Sequence, residues 1–438
     1  MNALLELTQR HRAGEAVGIC SVCSAHPLVL RAALEHALDS DSFALIEATS
    51  NQVNQDGGYT GLRPAQFRER VLQLADACGL ARERVLLGGD HLGPNPWQSL
   101  ASDEAMSRAG VMVREYVTAG FRKIHLDCSM SCADDRAPLA DSTVAARAAQ
   151  LCAEAEAAWR DSGGAPPVYV IGTEVPVPGG ARENLGELSV TTPEAVAATV
   201  EAHRQAFSDR GLQDAWARVI ALVVQPGVEF DHNSVVHYEP EKARRLSAAL
   251  ANFPNLVFEA HSTDYQTEAA LTALVRDHFA ILKVGPAVTF ALREAIWALD
   301  RIEQEWRGDA HAARVRERVL CAMRDDPRYW RSYYCERGRE LELQLEYSLS
   351  DRVRYYWTEP KVGAALARLE EAFRERCPPL GMLSQYLPLE YEAVRAGAIA
   401  PRAPEMIVHH IRLVLAQYAR ACNSHKHFSK GAQHEEVS

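Results

Sequence analysis

Eight short apolar runs punctuate residues 17–287, and each ends in a polar or glycine-rich cluster. They are VGICSVCS (17–24), FALIEAT (43–49), VLLGGDH (85–91), KIHLDCS (123–129), PVYVIGTE (167–174), VIALVVQPG (219–227), LVFEAHS (256–262) and ILKVGPA (281–287). Most are continuous rather than alternating, as parallel strands covered on both faces must be. Helical patterns fill the intervals. Examples are PLVLRAALEHAL after the first run, PAQFRERVLQLADAC after the second and DEAMSRAGVMVREYVTAG after the third. After the fifth comes TPEAVAATVEAHRQAFSDRG, where Thr192, Pro193 and Glu194 make a helix start. Eight β–α units in about 300 residues predict a (β/α)8 TIM barrel. An open, doubly wound sheet is the alternative. That fold favours a GxGxxG phosphate turn after a strand, and the chain has none.

The pattern changes after Trp297. The reading is a barrel over 1–300, a helical extension packed on it over 301–425, and a disordered polar tail over 426–438. A formal charge of −11 argues against nucleic acid or an anionic membrane as partner, but not against a small anion. No apolar run approaches the ~20 residues of a membrane span. The start MNALLELTQRHRAGEA is amphipathic without an apolar leader core. Ten cysteines lie in strands and helices rather than in a short-loop framework. Cys20-x-x-Cys23 and Cys128…Cys132 have no matching second pair for zinc, so the thiols read as reduced and the location as cytoplasmic. A homo-oligomer is compatible with all of this.

In a parallel barrel the carboxyl ends of the strands share one face, so side chains distant in sequence converge there. Asp90, His91, Asp127, Glu174 and His261 all stand at such ends. So many carboxylates and imidazoles in one place call for a divalent cation, with His91 and His261 as ligands and Asp127 or Glu174 assisting. Catalytic carboxylates are expected among Asp90, Asp127 and Glu174. Asp90 precedes His91 on the strand, so its side chain should point to the other face and reach over the loop. His125, mid-strand and on the same face as Asp127 but deeper, reads as packing. Gln225 is a poor ligand beside imidazole and reads as a substrate hydrogen-bonder. Glu229, Asp231, His232 and His237 follow it, and any of them could complete the site. The small-residue segments around Ser262, Thr263, Asp264 and Gly285 follow runs seven and eight, where backbone N–H groups favour a phosphate or polyol end. The amide-rich loop NQVNQDGGYTG, with Asn51 and Gln55, suits a polyhydroxylated ligand.

ATSNQVNQDGGYTG, GGDHLGPNPWQ, KIHLDCSMSCADD, GTEVPVPGG, FEAHSTDYQ, KVGPA, RVRYYWTEP and LSQYLP together resemble the so-called non-catalytic Z subunit family of class II D-tagatose-1,6-bisphosphate aldolase. The match runs over nearly the whole chain. The family is similar in turn to the catalytic class II aldolases, which are zinc-dependent (β/α)8 barrels. The resemblance implies that Asp90 is the base and His91 a metal ligand, that Asp127 and Glu174 match the carboxylates of the next strands, and that His261 precedes the phosphate loop. The sixth-strand zinc histidine is missing, with Gln225 nearest its place. A divalent metal of Zn, Mn, Co or Ni type is implied.

Two functions go with this family. One is a metal-dependent epimerase acting at C4 of a ketohexose or its 6-phosphate, of the tagatose/fructose type. The other is a non-catalytic partner that stabilises a separate aldolase subunit. A buried ionisable cluster is an unexplained electrostatic cost in a pure accessory subunit, which favours the enzyme. A hydrogen on C4 of a 2-ketose is not acidified by the carbonyl. Oxidation at C4 would need a nicotinamide, for which no fingerprint is present. Retro-aldol cleavage of C3–C4 avoids both obstacles.

Overall fold

The computed structural model describes residues 3–175 and 188–423. All eight expected strands are present: β1 Ile19–Val22, β2 Ala44–Thr49, β3 Val85–Leu92, β4 Lys123–Leu126, β5 Val168–Ile171, β6 Val219–Val224, β7 Val257–Ala260 and β8 Phe279–Val284. All are parallel. Each pairs with its neighbour in sequence, and β8 closes on β1 with Ser21 opposite Lys283. That closure excludes the open-sheet alternative. Thr192 behaves as expected: its side chain accepts a hydrogen bond from the Ala195 N–H, with Pro193 in the first turn.

Alternate residues of a strand face opposite ways, so the barrel interior can be read in steps of two. The lowest step is apolar: Ile19, Leu45, Val257 and Ile281 pack together with Leu4 of the helix Ala3–Arg12. The next step is Ser21, Glu47, Lys123, Glu259 and Lys283, all buried. Gly88 stands at this level on β3, and a Cβ there would lie 2.7 Å from Cγ of Glu47. Glycine therefore clears the space that the Glu47 side chain fills. The third step holds Asp90, His125 and His261. The outward residues Ile46, Ile124, Leu222, Phe258 and Leu282 join the large core beneath the helices.

Among the described residues, 301–423 contain helices and no strand. The helix Pro286–Arg307 runs through residue 300, where the sequence reading ends the barrel. The last helix, Ala403–Cys422, packs on β1, on the helix Pro27–Asp39 after β1 and on the helix Glu268–Arg276 after β7. It therefore occupies a place in the barrel's outer ring. Its carbonyl at Cys422 accepts from the Gly18 N–H at 2.9 Å. A two-stranded antiparallel hairpin, Glu229–Phe230 with Val235–Val236, lies in the loop after β6. No described helix is long and apolar enough to cross a membrane.

Candidate active site

The end of β3 departs from regular strand geometry. The β3–β4 register shifts between Gly89 and Leu92, and His91 has φ = 49°. A left-handed residue breaks the alternation of the strand. Asp90 and His91 therefore both face the barrel mouth, with Asp90 Oδ2 3.7 Å from His91 Nε2. This corrects the expectation that Asp90 points away and returns over the loop. β7 repeats the device: Ser262 has φ = 52°, and His261 and Ser262 line the same cavity.

Three imidazoles meet here. Ring centroids are 4.9 Å apart for His91 and His261, 5.1 Å for His91 and His125, and 5.3 Å for His125 and His261. Each ring has one nitrogen held by a carboxylate. Asp127 Oδ2 holds His91 Nδ1 at 2.7 Å, Asp90 Oδ1 holds His125 Nδ1 at 2.9 Å, and Glu259 Oε1 holds His261 Nε2 at 2.9 Å. The nitrogens left over are His91 Nε2, His125 Nε2 and His261 Nδ1. His125 Nε2 is buried with no hydrogen-bond partner among the described residues. Imidazoles braced by carboxylates, with the opposite nitrogen unengaged, are the arrangement that protein metal sites use.

Asp90, His125, Glu259 and His261 each bring one donor atom within 4.8 Å of the others'. The two carboxylates of that set are already engaged by lysines. Lys283 Nζ lies 2.8 Å from Asp90 Oδ1 and 2.8 Å from Glu47 Oε2. Lys123 Nζ lies 2.7 Å from Glu47 Oε1 and 2.7 Å from Glu259 Oε2. The unengaged imidazole nitrogens, His91 Nε2 included, are therefore the better-fitting donors for a borderline cation.

The pairing sets the charge states. Burial favours neutral Asp90, but His91, Lys283 and His125 outweigh it and hold the carboxyl well below its usual range. Burial works against the ammonium of Lys283, yet Asp90, Glu47 and Glu259 drive its pKa well up. His261 is pulled down to about 4 by burial, which keeps its ring neutral and able to bind metal.

Above the cluster lies a cavity of about 80 Å3, open at its mouth. The strand ends supply Thr49, Asp90, His91, His261, Ser262, Lys283 and Gly285, the loop after β2 supplies Asn51, Gln52 and Tyr59, and the C-terminal extension supplies Arg354 and Tyr355. Asp264 also lines it. Its Oδ1 accepts the N–H groups of Gly285 (3.0 Å) and Ala287 (2.8 Å). The start of the helix Pro286–Arg307, expected to cradle a phosphate, is thus taken by the protein's own carboxylate. Burial raises Asp264 to about 6.

Comparison with known proteins places this architecture. Residues 4–423 match the family described as D-tagatose-1,6-bisphosphate aldolase subunit GatZ/KbaZ-like. The chain belongs to that family. A relative of known structure, a probable tagatose 6 phosphate kinase from Sinorhizobium meliloti 1021, is 47% identical with a TM-score of 0.85. The alignment covers 92% of this chain and 100% of that one. Fructose-bisphosphate aldolase from Campylobacter jejuni is 15% identical, with a TM-score of 0.45 over 85% of this chain and 93% of that one. The YdjI aldolase from Escherichia coli K12 is 13% identical, with a TM-score of 0.41 over 83% and 98%.

In this GatZ/KbaZ-like barrel the residues singled out from sequence divide clearly. Asp90, His91 and His261 converge. Asp127 is next to them but behind His91, and its other oxygen accepts from Ser129 N–H and Oγ. Its position is that of a brace for His91 rather than a direct ligand. Glu174 is exposed and accepts from Thr191 Oγ1 at 2.6 Å; residues 176–180 of its segment lie outside the described residues. Gln225 Oε1 accepts from the N–H groups of Gly227 and Val228, which makes it a loop staple. Asn51, Ser262, Asp264 and Gly285 line the cavity. Thr263 is buried on the Lys283 carbonyl, and Gln55 bonds the Arg108 carbonyl. Of the residues after β6, Glu229 is buried and raised to about 7 by that burial. Asp231 caps its own turn, and His232 bonds Ser348 and the Tyr333 carbonyl. His237 is exposed. The tail 426–438 lies outside the described residues. All ten cysteines are free.

Sequence reasoning missed His125 as a member of the cluster, and with it Glu47, Lys123, Glu259 and Lys283. The signal was available: Lys123-x-His125-x-Asp127 and Glu259-x-His261 put chemistry on alternate, inward positions.

Proposed function

We propose that the chain epimerises C4 of a ketohexose or ketohexose 6-phosphate of the tagatose/fructose type, by retro-aldol cleavage and re-addition. The observation that carries this reading is the cluster of three imidazoles, each braced by a carboxylate, at the floor of a cavity lined by hydrogen-bonding groups. His91, His125 and His261 would hold a divalent cation there, with Asp127, Asp90 and Glu259 fixing their rings. Such a cation, when bound, stabilises negative charge developing on sugar oxygens. Asp90 is ionised, and among the described residues its Oδ2 has no partner nearer than Cys23 Sγ at 3.6 Å. It is placed to accept the proton of the C4 hydroxyl. The C3–C4 bond then breaks, its electron pair passes to an enediolate, and the aldehyde fragment turns and is attacked on its other face. Asn51, Thr49, Gln52 and Ser262 offer hydrogen bonds to the remaining hydroxyls. Arg354 forms no ion pair within 4 Å among the described residues and gives an anionic end a partner.

The family's description as an aldolase subunit favours a second reading, a partner that supports a catalytic aldolase. Purified protein, incubated alone with tagatose 6-phosphate and with free tagatose, with and without added divalent metal, separates the two. A fructose-type product that requires metal is expected. No product alone, with a rise in the activity of an added catalytic aldolase, would establish the accessory role instead.

A further inference from the structure

Inversion at C4 moves the C4 oxygen from one side of the sugar to the other. A single fixed carboxylate on the barrel wall can reach that oxygen in one epimer only. The C-terminal extension also contributes to the lining of the cavity, and one of its residues there is a tyrosine, Tyr355. We propose that Tyr355 is a second acid/base residue of this reaction, serving the C4 oxygen of the epimer that Asp90 does not reach. The proposal rests on the epimerase reading above.

Three observations carry it. First, Tyr355 and Asp90 line the same cavity but come from different elements, the 3-10 turn Arg352–Tyr355 and β3. Second, the phenol oxygen receives two charged donors, Arg352 Nη1 at 3.1 Å and Arg354 Nη2 at 3.2 Å. Two guanidinium N–H groups aimed at one phenol oxygen favour its anion. Burial opposes ionisation, but Arg354 and Arg352 outweigh it, and the pKa falls below the ordinary value. Third, the ring is clamped. It stacks on Tyr329 with centroids 4.8 Å apart and planes 6° apart, and Tyr59 meets it edge-on at 4.7 Å. A clamped ring aims its oxygen in one direction. The charged and titratable groups packed around it are Arg352 and Arg354 on its own turn, Tyr59 from the loop after β2, and Tyr329 with Arg328 over its ring.

The step balances without a redox partner. From one epimer Asp90 takes the O4 proton, the C3–C4 bond breaks, and the pair rests on the enediolate. The aldehyde rotates, C3–C4 re-forms on its other face, and the Tyr355 hydroxyl gives its proton to the new O4 alkoxide. Solvent returns the proton from Asp90 and reprotonates Tyr355. The reverse direction exchanges their roles.

The test uses the full-length, metal-loaded protein as wild type, Tyr355→Phe and Asp90→Asn. A carbonyl-trapping hydrazide captures the released aldehyde fragment from each C4 epimer of the ketohexose phosphate separately. Tyr355→Phe should lose trapping by about 10²-fold from one epimer and retain it from the other, and Asp90→Asn should show the opposite preference. Equal loss from both epimers marks Tyr355 as a structural brace and overturns the proposal, as does no loss. A near-ultraviolet titration, wild type minus Tyr355→Phe, should show one phenol ionising below the ordinary value of about 10. A normal titration also overturns the proposal, whatever the activity. A low titration in a wild-type protein that releases no fragment from either epimer overturns the epimerase reading and the catalytic role together.

Discussion

The barrel interior and the C-terminal extension both bury cations, and they do so in opposite ways. In the barrel, Lys123 sits between Glu47 and Glu259, and Lys283 among Asp90, Glu47 and Glu259, carboxylates drawn from different strands. Charge is cancelled inside the layer, and every partner is fixed by strand register. In the extension, Arg354 is held by the carbonyls of Ser350 and Asp351 and by the Tyr355 hydroxyl, and Arg352 lies over the Tyr333 ring. Carbonyls and aromatic faces position a guanidinium without neutralising it. The barrel thus spends its charges on holding imidazoles still, whereas the extension keeps positive charge for the cavity. One region is an internally satisfied scaffold and the other an electrostatic lid.

The contrast breaks most easily at Glu259. Glu259→Gln in the metal-free protein leaves Lys123 with one partner and loosens His261. It should cost about 3–5 kcal/mol, read from urea unfolding. A loss below about 1 kcal/mol would mean that the layer is not a closed network. Next in size is Asp90→Asn, which keeps the shape beside Lys283 but removes the base. Turnover should fall by about 10²-fold, equivalent to about 2.7 kcal/mol, and the urea midpoint should fall as well, because Lys283 keeps Glu47 but loses the Asp90 charge. Wild-type turnover would make Asp90 part of the scaffold alone.

The smallest effect sharpens the comparison from the extension's side. Buried Glu390 accepts from His409 Nδ1 at 2.9 Å and His410 Nδ1 at 3.1 Å, and His410 Nε2 also lies 3.6 Å from Glu294. Burial alone would lower His410, but Glu294 and Glu390 outweigh it and hold it at about 9. The folded pKa is above the unfolded value of about 6.5. The stabilisation is therefore complete below about pH 6.5 and is lost as pH rises through about 9. His410→Gln should cost about 1–2 kcal/mol at pH 6.5 and almost nothing at pH 10. Equal losses at both pH values would show that the contact is packing rather than charge.

The strands, their order of appearance and their parallel pairing were legible because continuous apolar runs have few other uses. The convergence of Asp90, His91 and His261 followed from their places at strand ends. The side on which Asp90 points did not, because it depends on a left-handed φ at His91 that no periodicity signals. His125 was misjudged as packing, since a lone mid-strand histidine carries no mark of its partners. Glu174 looked equivalent to Asp127 in sequence, yet Asp127 meets His91 and Glu174 meets Thr191. Arg354 and Tyr355 were visible as RVRYYWTEP only through resemblance. Their turn has no repeat, and its approach to the cavity is set by tertiary packing.

The last helix carries a consequence for how the chain is made. Its Cys422 carbonyl meets the Gly18 amide, and Tyr418 Oη donates to the Thr263 carbonyl at 2.7 Å beside β7. The ring position between the first and seventh β–α units is filled by residues synthesised after all eight strands. A ribosome-bound nascent chain can form the strands but must leave the outer face of β1 bare until that helix emerges. Late in synthesis the exposed apolar edge is therefore at the oldest part of the protein, and a chaperone holding the growing chain would be expected at β1.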